Sequence, residues 1–255
     1  MLEELKKMDK ATPLVMIHGL MGSIAYFSPD VRMPGVSVHT PDLIGYGSLA
    51  DTDAGAITLD NQAASVIRYV EEQVGEPCWL LGHSVGGAVA MLVAAKAPSM
   101  VRGLISVEGN FTLSDAFWCR KIAALSDEAW CAEHQRMLDD PAAWLQNSGV
   151  TLSPQRIVWA NDILRNQPRS TIAAMSRAVV KETGSPEFLE HARTVVDNGT
   201  PIHLLAGERS ASGWDVPDWV KSASLSYEIQ PDTGHMMMLE QPEAFCDIVR
   251  AMIER

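Results

Sequence analysis

The chain has 255 residues, of which 47% are hydrophobic and 20% charged. That balance supports a sizeable globular core and excludes a mainly disordered chain. Lys and Arg total 20 against 32 Asp and Glu, a formal net charge of −12. No basic stripe interrupts this acidity, so nucleic-acid binding is not expected. No stretch approaches the ~18 unbroken apolar residues of a membrane span. Met1–Lys10 lacks the apolar core of a signal peptide. The expected location is therefore the cytoplasm, away from membranes. Cys78, Cys119, Cys131 and Cys246 show no CxxC spacing and read as free buried thiols rather than a disulfide framework or a metal site.

In chain order, the apolar run Leu14–His18 after Pro13 predicts a first strand, and Val36–His39, stopped by Pro41, a second. Ile57 to Val74 predicts a helix ended by Gly75 and Pro77. Cys78–Leu81 is a short, wholly apolar strand of the kind buried on both faces of a parallel sheet. Val85 to Ala97 is a helix of small residues stopped by Pro98, and Gly103–Val107 is another buried strand. Residues 111–195 carry helical signals only, with Ser126, Ser153 and Ser185 placed as N-caps and Gly199 as a C-terminal stop. Strand signals return at Ile202–Ala206 and Leu225–Ile229, and a last helix runs from Pro242 to about Ile253. Alternating strands and helices imply a mainly parallel sheet with helices on both faces. Residues 1–110 and 196–255 would form one α/β core. Residues 111–195 would be a helical lid at the carboxyl edge of the strands, where such sheets bind ligands.

Three segments carry candidate chemistry. Gly82-His-Ser-Val-Gly86 is a G-x-S-x-G pattern between a predicted strand and a predicted helix. A nucleophile elbow needs that setting, with Ser84 at the tip of the turn over a helix N-terminus. His18-Gly-Leu-Met-Gly-Ser23 follows the first strand. Its glycines let backbone come close to a ligand, so the N–H groups of Leu20 and Val85 are candidate oxyanion donors. Asp232-Thr-Gly-His235 follows the last strand, and an imidazole there can reach the elbow serine as a general base. His18 is read as a support for its own loop. His39, His134, His191 and His203 lack any partner pattern.

Together these segments resemble the α/β-hydrolase superfamily. The matching pieces are His18-Gly19 with Gly22-Ser23, Pro41-Asp-Leu-Ile-Gly-Tyr-Gly-Ser48, Gly82–Gly86, and Gly234-His235 before Pro242. They stand in the family's order across nearly the whole chain. The resemblance implies Ser84 as nucleophile, His235 as base, and Leu20 and Val85 as oxyanion donors. In most members the acid follows the strand that here ends at Ala206, but Ser210 stands about where an Asp is usual, with Glu208 and Asp215 nearby. Another branch places the acid after the strand that follows the nucleophile helix. Here that residue is Glu108, 24 residues beyond Ser84. Glu108 is preferred, with Asp215 and Glu208 as alternatives. The short segment before His18 leaves little room for the family's opening antiparallel hairpin, so a reduced sheet of roughly six or seven strands is expected.

Four of the seven tryptophans lie in the helical block, with Phe111 and Phe117, and Met236 follows the candidate base. Met21, His83, Phe111, Trp118, Trp144, Trp159 and Met236 are the candidate substrate-binding residues. Apolar, adaptable side chains of this kind suit a medium-sized apolar substrate. The expected activity is a serine carboxylic ester hydrolase working through an acyl-enzyme on esters, or on thioesters or lactones, with no metal or organic cofactor. Rival readings are a C–C bond hydrolase or perhydrolase on the same fold, and a ligand-binding protein with a vestigial triad. The partner expected is a small-molecule ester, and the sequence leaves the oligomeric state open.

Overall fold

The computed structural model describes residues 11–255. Met1–Lys10, read above for a leader, lies outside the described residues. The strands are β1 Thr12–Ile17, β2 Val36–His39, β3 Cys78–His83, β4 Val101–Val107, β5 Ile202–Gly207 and β6 Ser226–Gln230. They form a six-stranded sheet in the order β2-β1-β3-β4-β5-β6, and every neighbouring pair is parallel. Around it lie α1 Pro29–Arg32, α2 Leu59–Tyr69, α3 Val85–Lys96, α4 Phe117–Ala123, α5 Asp127–Asp139, α6 Pro141–Asn147, α7 Pro154–Arg165, α8 Arg169–Glu182, α9 Pro186–Asp197, α10 Asp218–Ala223, α11 Met237–Glu240 and α12 Pro242–Ile253.

Successive strand residues face opposite sides of the sheet. Val15, Ile17, Leu80, Leu104 and Leu204 therefore share one core with residues of α2, α3 and α9. Leu14, Met16, Leu81, Ile105 and Leu205 share the other with Phe27 and, from α12, Phe245 and Val249. Burial on both faces is why these strands read as unbroken apolar runs. β3 extends two residues past its apolar run because Gly82 and His83 pair with Ser106 and Val107.

Strand β1 is flanked by β2 on one side and β3 on the other. The chain thus switches direction across the sheet at the β1/β3 boundary, where loops leaving the carboxyl ends diverge and open a crevice. The loops that begin at His18 and at Ser84 both leave from this point. Helices α4–α9 are all inserted between β4 and β5, which are neighbours in the sheet. Ser126, Ser153 and Ser185 accept hydrogen bonds from the N–H groups of Ala129, Arg156 and Phe188, so they cap α5, α7 and α9. Gly199, just beyond α9, has φ 71°.

Three local expectations need correction. The helix predicted over 57–74 begins only at Leu59, because the Thr58 side chain caps it by accepting from Asn61 N–H. Its last turn, Val70–Val74, widens into a π-turn closed by Gly75 at φ 72°. The final strand is Ser226–Gln230, one residue later than its apolar pattern suggested. Cys78, Cys119 and Cys246 are free and buried, but Cys131 is free and exposed on α5. No helix among the described residues is long and apolar enough to cross a membrane.

Strand β3 and helix α3 meet too closely for side chains at the turn. A Cβ built on Gly86 would lie 2.3 Å from the Ile17 carbonyl oxygen and 2.5 Å from that of His18. Both obstacles are backbone at the end of β1, so neither can rotate away. Gly86→Ala is expected to destabilise the fold by about 3 kcal/mol, seen as a fall in the urea midpoint. An unchanged midpoint would show that α3 can move off the sheet freely.

Candidate active site

Ser84 sits between the end of β3 and the start of α3 with φ 54° and ψ −122°. A non-glycine residue in this left-handed region is strained, and such strain concentrates at functional sites. The turn is held from both sides. Ser84 N–H donates to the Val107 carbonyl at 3.0 Å, and the Ser84 carbonyl accepts from Gly87 at 2.9 Å and Asn110 at 3.1 Å. Val85 is the first residue of α3, so its N–H belongs to the helix's unpaired first-turn donors.

The loop after β1 is held by buried side chains. The Tyr46 hydroxyl donates to the Leu20 carbonyl at 2.9 Å. His18 Nε2 accepts from Leu43 N–H at 3.3 Å, while Nδ1 lies 2.8 Å from the Gly19 carbonyl. One tautomer serves both contacts, with the proton on Nδ1. Burial lowers the His18 pKa to about 4, against smaller upward effects of the Gly19 hydrogen bond and Asp42. The ring is therefore neutral near pH 7 and fixes the loop, as its sequence position suggested.

Glu108 follows β4 in a second left-handed conformation, φ 41°. Its Oε2 is 2.6 Å from His235 Nδ1. Its Oε1 accepts from Gly207 N–H at 2.8 Å and from the Ser210 hydroxyl at 2.5 Å. Burial pushes the Glu108 pKa up, but the hydrogen bond and charge of His235, together with Ser210 and Gly207, outweigh it and leave the group below its ordinary value. The Glu108 side chain is only 6% exposed, whereas that of His235 is 35% exposed. The alternative acids are engaged elsewhere. Asp215 Oδ2 accepts from the Thr112 hydroxyl at 2.7 Å, and Glu208 Oε2 accepts from Asp232 N–H at 2.9 Å.

His83 Nε2 donates to the His235 carbonyl at 3.0 Å. Burial and the neighbouring His235 lower the His83 pKa to about 3, so it remains neutral. Its ring lies 4.7 Å from that of His235, centroid to centroid. His83 thus supports the backbone of the His235 loop as well as lining the cavity.

Ser84 and His235 face one cavity of about 290 Å³. Leu20, Met21, His83, Trp118, Trp144 and Met236 are among its walls. Two expected lining residues lie elsewhere. Phe111 is 1% exposed, with its ring 6.1 Å from that of Trp214. Trp214 itself is pinned by its indole N–H to the Gly109 carbonyl at 2.8 Å. Trp159 packs behind the wall, its ring 5.7 Å from that of Tyr26. Tyr26, Ile163, Asn147 and Ser148 line the cavity without having been singled out from the sequence. Asn147 and Ser148 lie where α6 ends, a position with no periodic signal of its own. Among the described residues no cluster of three or more His, Cys, Asp or Glu side chains could hold a metal ion.

Comparisons with known proteins agree with this architecture. The model of the alpha/beta hydrolase family matches residues 14–248. A pimeloyl-[acyl-carrier protein] methyl ester esterase from Yersinia enterocolitica is 37% identical over 251 residues, covering 92% of this chain and 91% of the relative. A 2-succinyl-6-hydroxy-2,4-cyclohexadiene-1-carboxylate synthase from Serratia proteamaculans is 27% identical, covering 93% of this chain and 91% of that relative. An sn-1-specific diacylglycerol lipase from Xenopus laevis matches more locally: 36% identity over 100 residues, spanning 38% of this chain and 31% of the lipase. Among solved structures, a carboxylesterase from Nitrososphaera gargenis superimposes with a TM-score of 0.72 at 17% identity, covering 96% of this chain and 90% of that one. MenH from S. aureus gives a TM-score of 0.71 at 17% identity, covering 97% and 95%. With the family model matched from β1 into α12, and the parallel sheet and strand–turn–helix elbow in place, the chain belongs to the alpha/beta hydrolase family.

Proposed function

We propose that the protein is a serine hydrolase that cleaves carboxylic esters of medium-sized, largely apolar substrates through an acyl-enzyme. The observation that carries this reading is the Glu108–His235 contact of 2.6 Å behind a cavity that His235 and Ser84 both line. Helices α4–α9 act in it as a lid, since Trp118 and Trp144 close the cavity from that block. The esterase relatives support the same bond type.

Because Nδ1 of His235 donates to Glu108, Nε2 is the free acceptor. Ser84 Oγ attacks the ester carbonyl carbon while its proton passes to Nε2. Charge develops on the carbonyl oxygen, where the N–H groups of Leu20 and Val85 receive it. The tetrahedral adduct collapses, the C–O bond to the alcohol breaks, and Nε2 returns the proton to the leaving oxygen. Water then attacks the acyl-enzyme, its proton going to Nε2 and back to Ser84 as the acid departs. Glu108 stays ionised and stabilises the imidazolium formed in each half-reaction. The cavity of about 290 Å³ sits at the lower end of ordinary small-molecule sites. It favours short to medium acyl chains over long lipids.

A fluorophosphonate probe is expected to label the peptide containing Ser84, and butyrate and hexanoate p-nitrophenyl esters to turn over faster than palmitate. Labelling at another residue, or no hydrolysis across the panel, would overturn the assignment.

A further inference from the structure

The four residues Gly207–Ser210, starting from the last residue of β5, hold both partners of the Glu108–His235 pair. Gly207 N–H and the Ser210 hydroxyl fix Glu108 from one side. Between them, Glu208 Oε2 takes Asp232 N–H, and Arg209 N–H donates to the Thr233 carbonyl at 2.9 Å. The Arg209 guanidinium reaches further. It donates to the Asp232 carbonyl, to the Gly149 carbonyl of the helical block at 3.2 Å, and to Glu240 Oε2 at 2.5 Å. The other oxygen of Glu240 accepts Gly234 N–H at 2.7 Å, one residue before His235. The Glu240 carbonyl in turn accepts from Arg156 of α7 at 2.5 Å. The Glu240 side chain is only 6% exposed.

We propose that Arg209 and Glu240 are positioning residues for His235: an ion pair, buried on the Glu240 side and half-exposed on the Arg209 side, that fixes the Gly234–His235 peptide and ties it to the helices over the cavity. This inference rests on the reading of His235 as the base. A buried carboxylate is held in place by an opposite charge on one oxygen and a hydrogen bond on the other. Ionised, Glu240 holds Gly234 N–H through a charge-assisted hydrogen bond. Remove the guanidinium, and the carboxylate loses the contact that fixes its rotamer, loosening its hold on that N–H. The side chain of His235 is more than a third exposed, so the orientation of its ring depends on Glu108 and on the backbone from which it grows. A displacement near 1 Å in a catalytic group is enough to cost about 100-fold in rate. Neither Arg209 nor Glu240 lines the cavity, so their effect falls on the chemical step and not on substrate binding.

The test compares Arg209→Met, Arg209→Lys, Glu240→Gln and the Arg209→Met/Glu240→Gln double variant in the full chain. Readouts are kcat and KM for p-nitrophenyl butyrate, the rate of fluorophosphonate labelling at Ser84, and the low-field proton NMR signal of the His235 Nδ1–H. Arg209→Met is expected to lower kcat and labelling rate by about 100-fold with KM nearly unchanged, and to broaden or shift the Nδ1–H signal. Glu240→Gln should act in the same direction, Arg209→Lys should recover part of the loss, and the double variant should be no slower than the worse single one. If Arg209→Met does not fold, Glu240→Gln and Arg209→Lys carry the comparison. Unchanged kcat and Nδ1–H signal in folded variants, with only the unfolding midpoint moved, would overturn the positioning role. A wild-type protein that neither hydrolyses esters nor labels at Ser84 would instead overturn the esterase reading.

Discussion

Ser84→Ala is expected to lower kcat/KM for p-nitrophenyl butyrate by about 10⁴- to 10⁶-fold while leaving the unfolding midpoint close to that of the wild type. The substitution removes only Oγ. Alanine keeps the Cβ that serine already places in the left-handed turn at φ 54°, and the backbone bonds to Val107, Gly87 and Asn110 use main-chain atoms that do not change. The loss is therefore chemical rather than structural. Binding in the cavity should persist, because its walls are intact. In the proposed mechanism the residual rate reports what the Leu20 and Val85 amides and His235 achieve with water as nucleophile. Activity within 10-fold of wild type would remove Ser84 from the mechanism.

Glu108→Gln is the second large effect, about 10³- to 10⁴-fold in kcat by analogy with acid-to-amide changes in serine triads. In the proposed mechanism the carboxylate keeps the proton of His235 on Nδ1, leaving Nε2 free to accept from serine. A glutamine at the same place keeps one acceptor oxygen for Gly207 N–H and the Ser210 hydroxyl, but turns N–H groups toward Nδ1. That stabilises the opposite tautomer, in which Nε2 carries a proton and cannot take another. Neither nearby carboxylate can substitute, since Asp215 is committed to Thr112 and Glu208 to Asp232 N–H. Near-normal turnover in Glu108→Gln would send the acid role back to Asp215 or Glu208.

The parts of this architecture that could be read from the sequence are those encoded by local pattern. Cys78–Leu81 announces a doubly buried strand because every residue is apolar. The glycines around Ser84 announce a tight strand-to-helix turn because no other residue fits there. Ser126, Ser153 and Ser185 announce helix starts because their hydroxyls cap within three residues. What could not be read depends on contacts between distant segments. Phe111 and Trp118 look alike in sequence, yet Phe111 is buried against Trp214 and Trp118 lines the cavity. Only the path of the helices over the sheet separates them. Arg209 and Glu240 belong to no repeat or motif, and their pairing becomes visible only once the loop after β5 meets α11. The π-turn Val70–Val74 that continues α2 is closed by Gly75 and contains no breaker residue that would announce it.

The helical block leaves the sheet after β4 and returns at β5, two strands already hydrogen-bonded to each other. Exchanging or lengthening that block would break no ladder bond in the sheet. Two of the ties between block and core, Arg209 to the Gly149 carbonyl and Arg156 to the Glu240 carbonyl, end on main-chain oxygens that any residue supplies. Evolution could therefore rewrite Trp118, Trp144 or Ile163 for a different acyl group while inheriting the same anchorage.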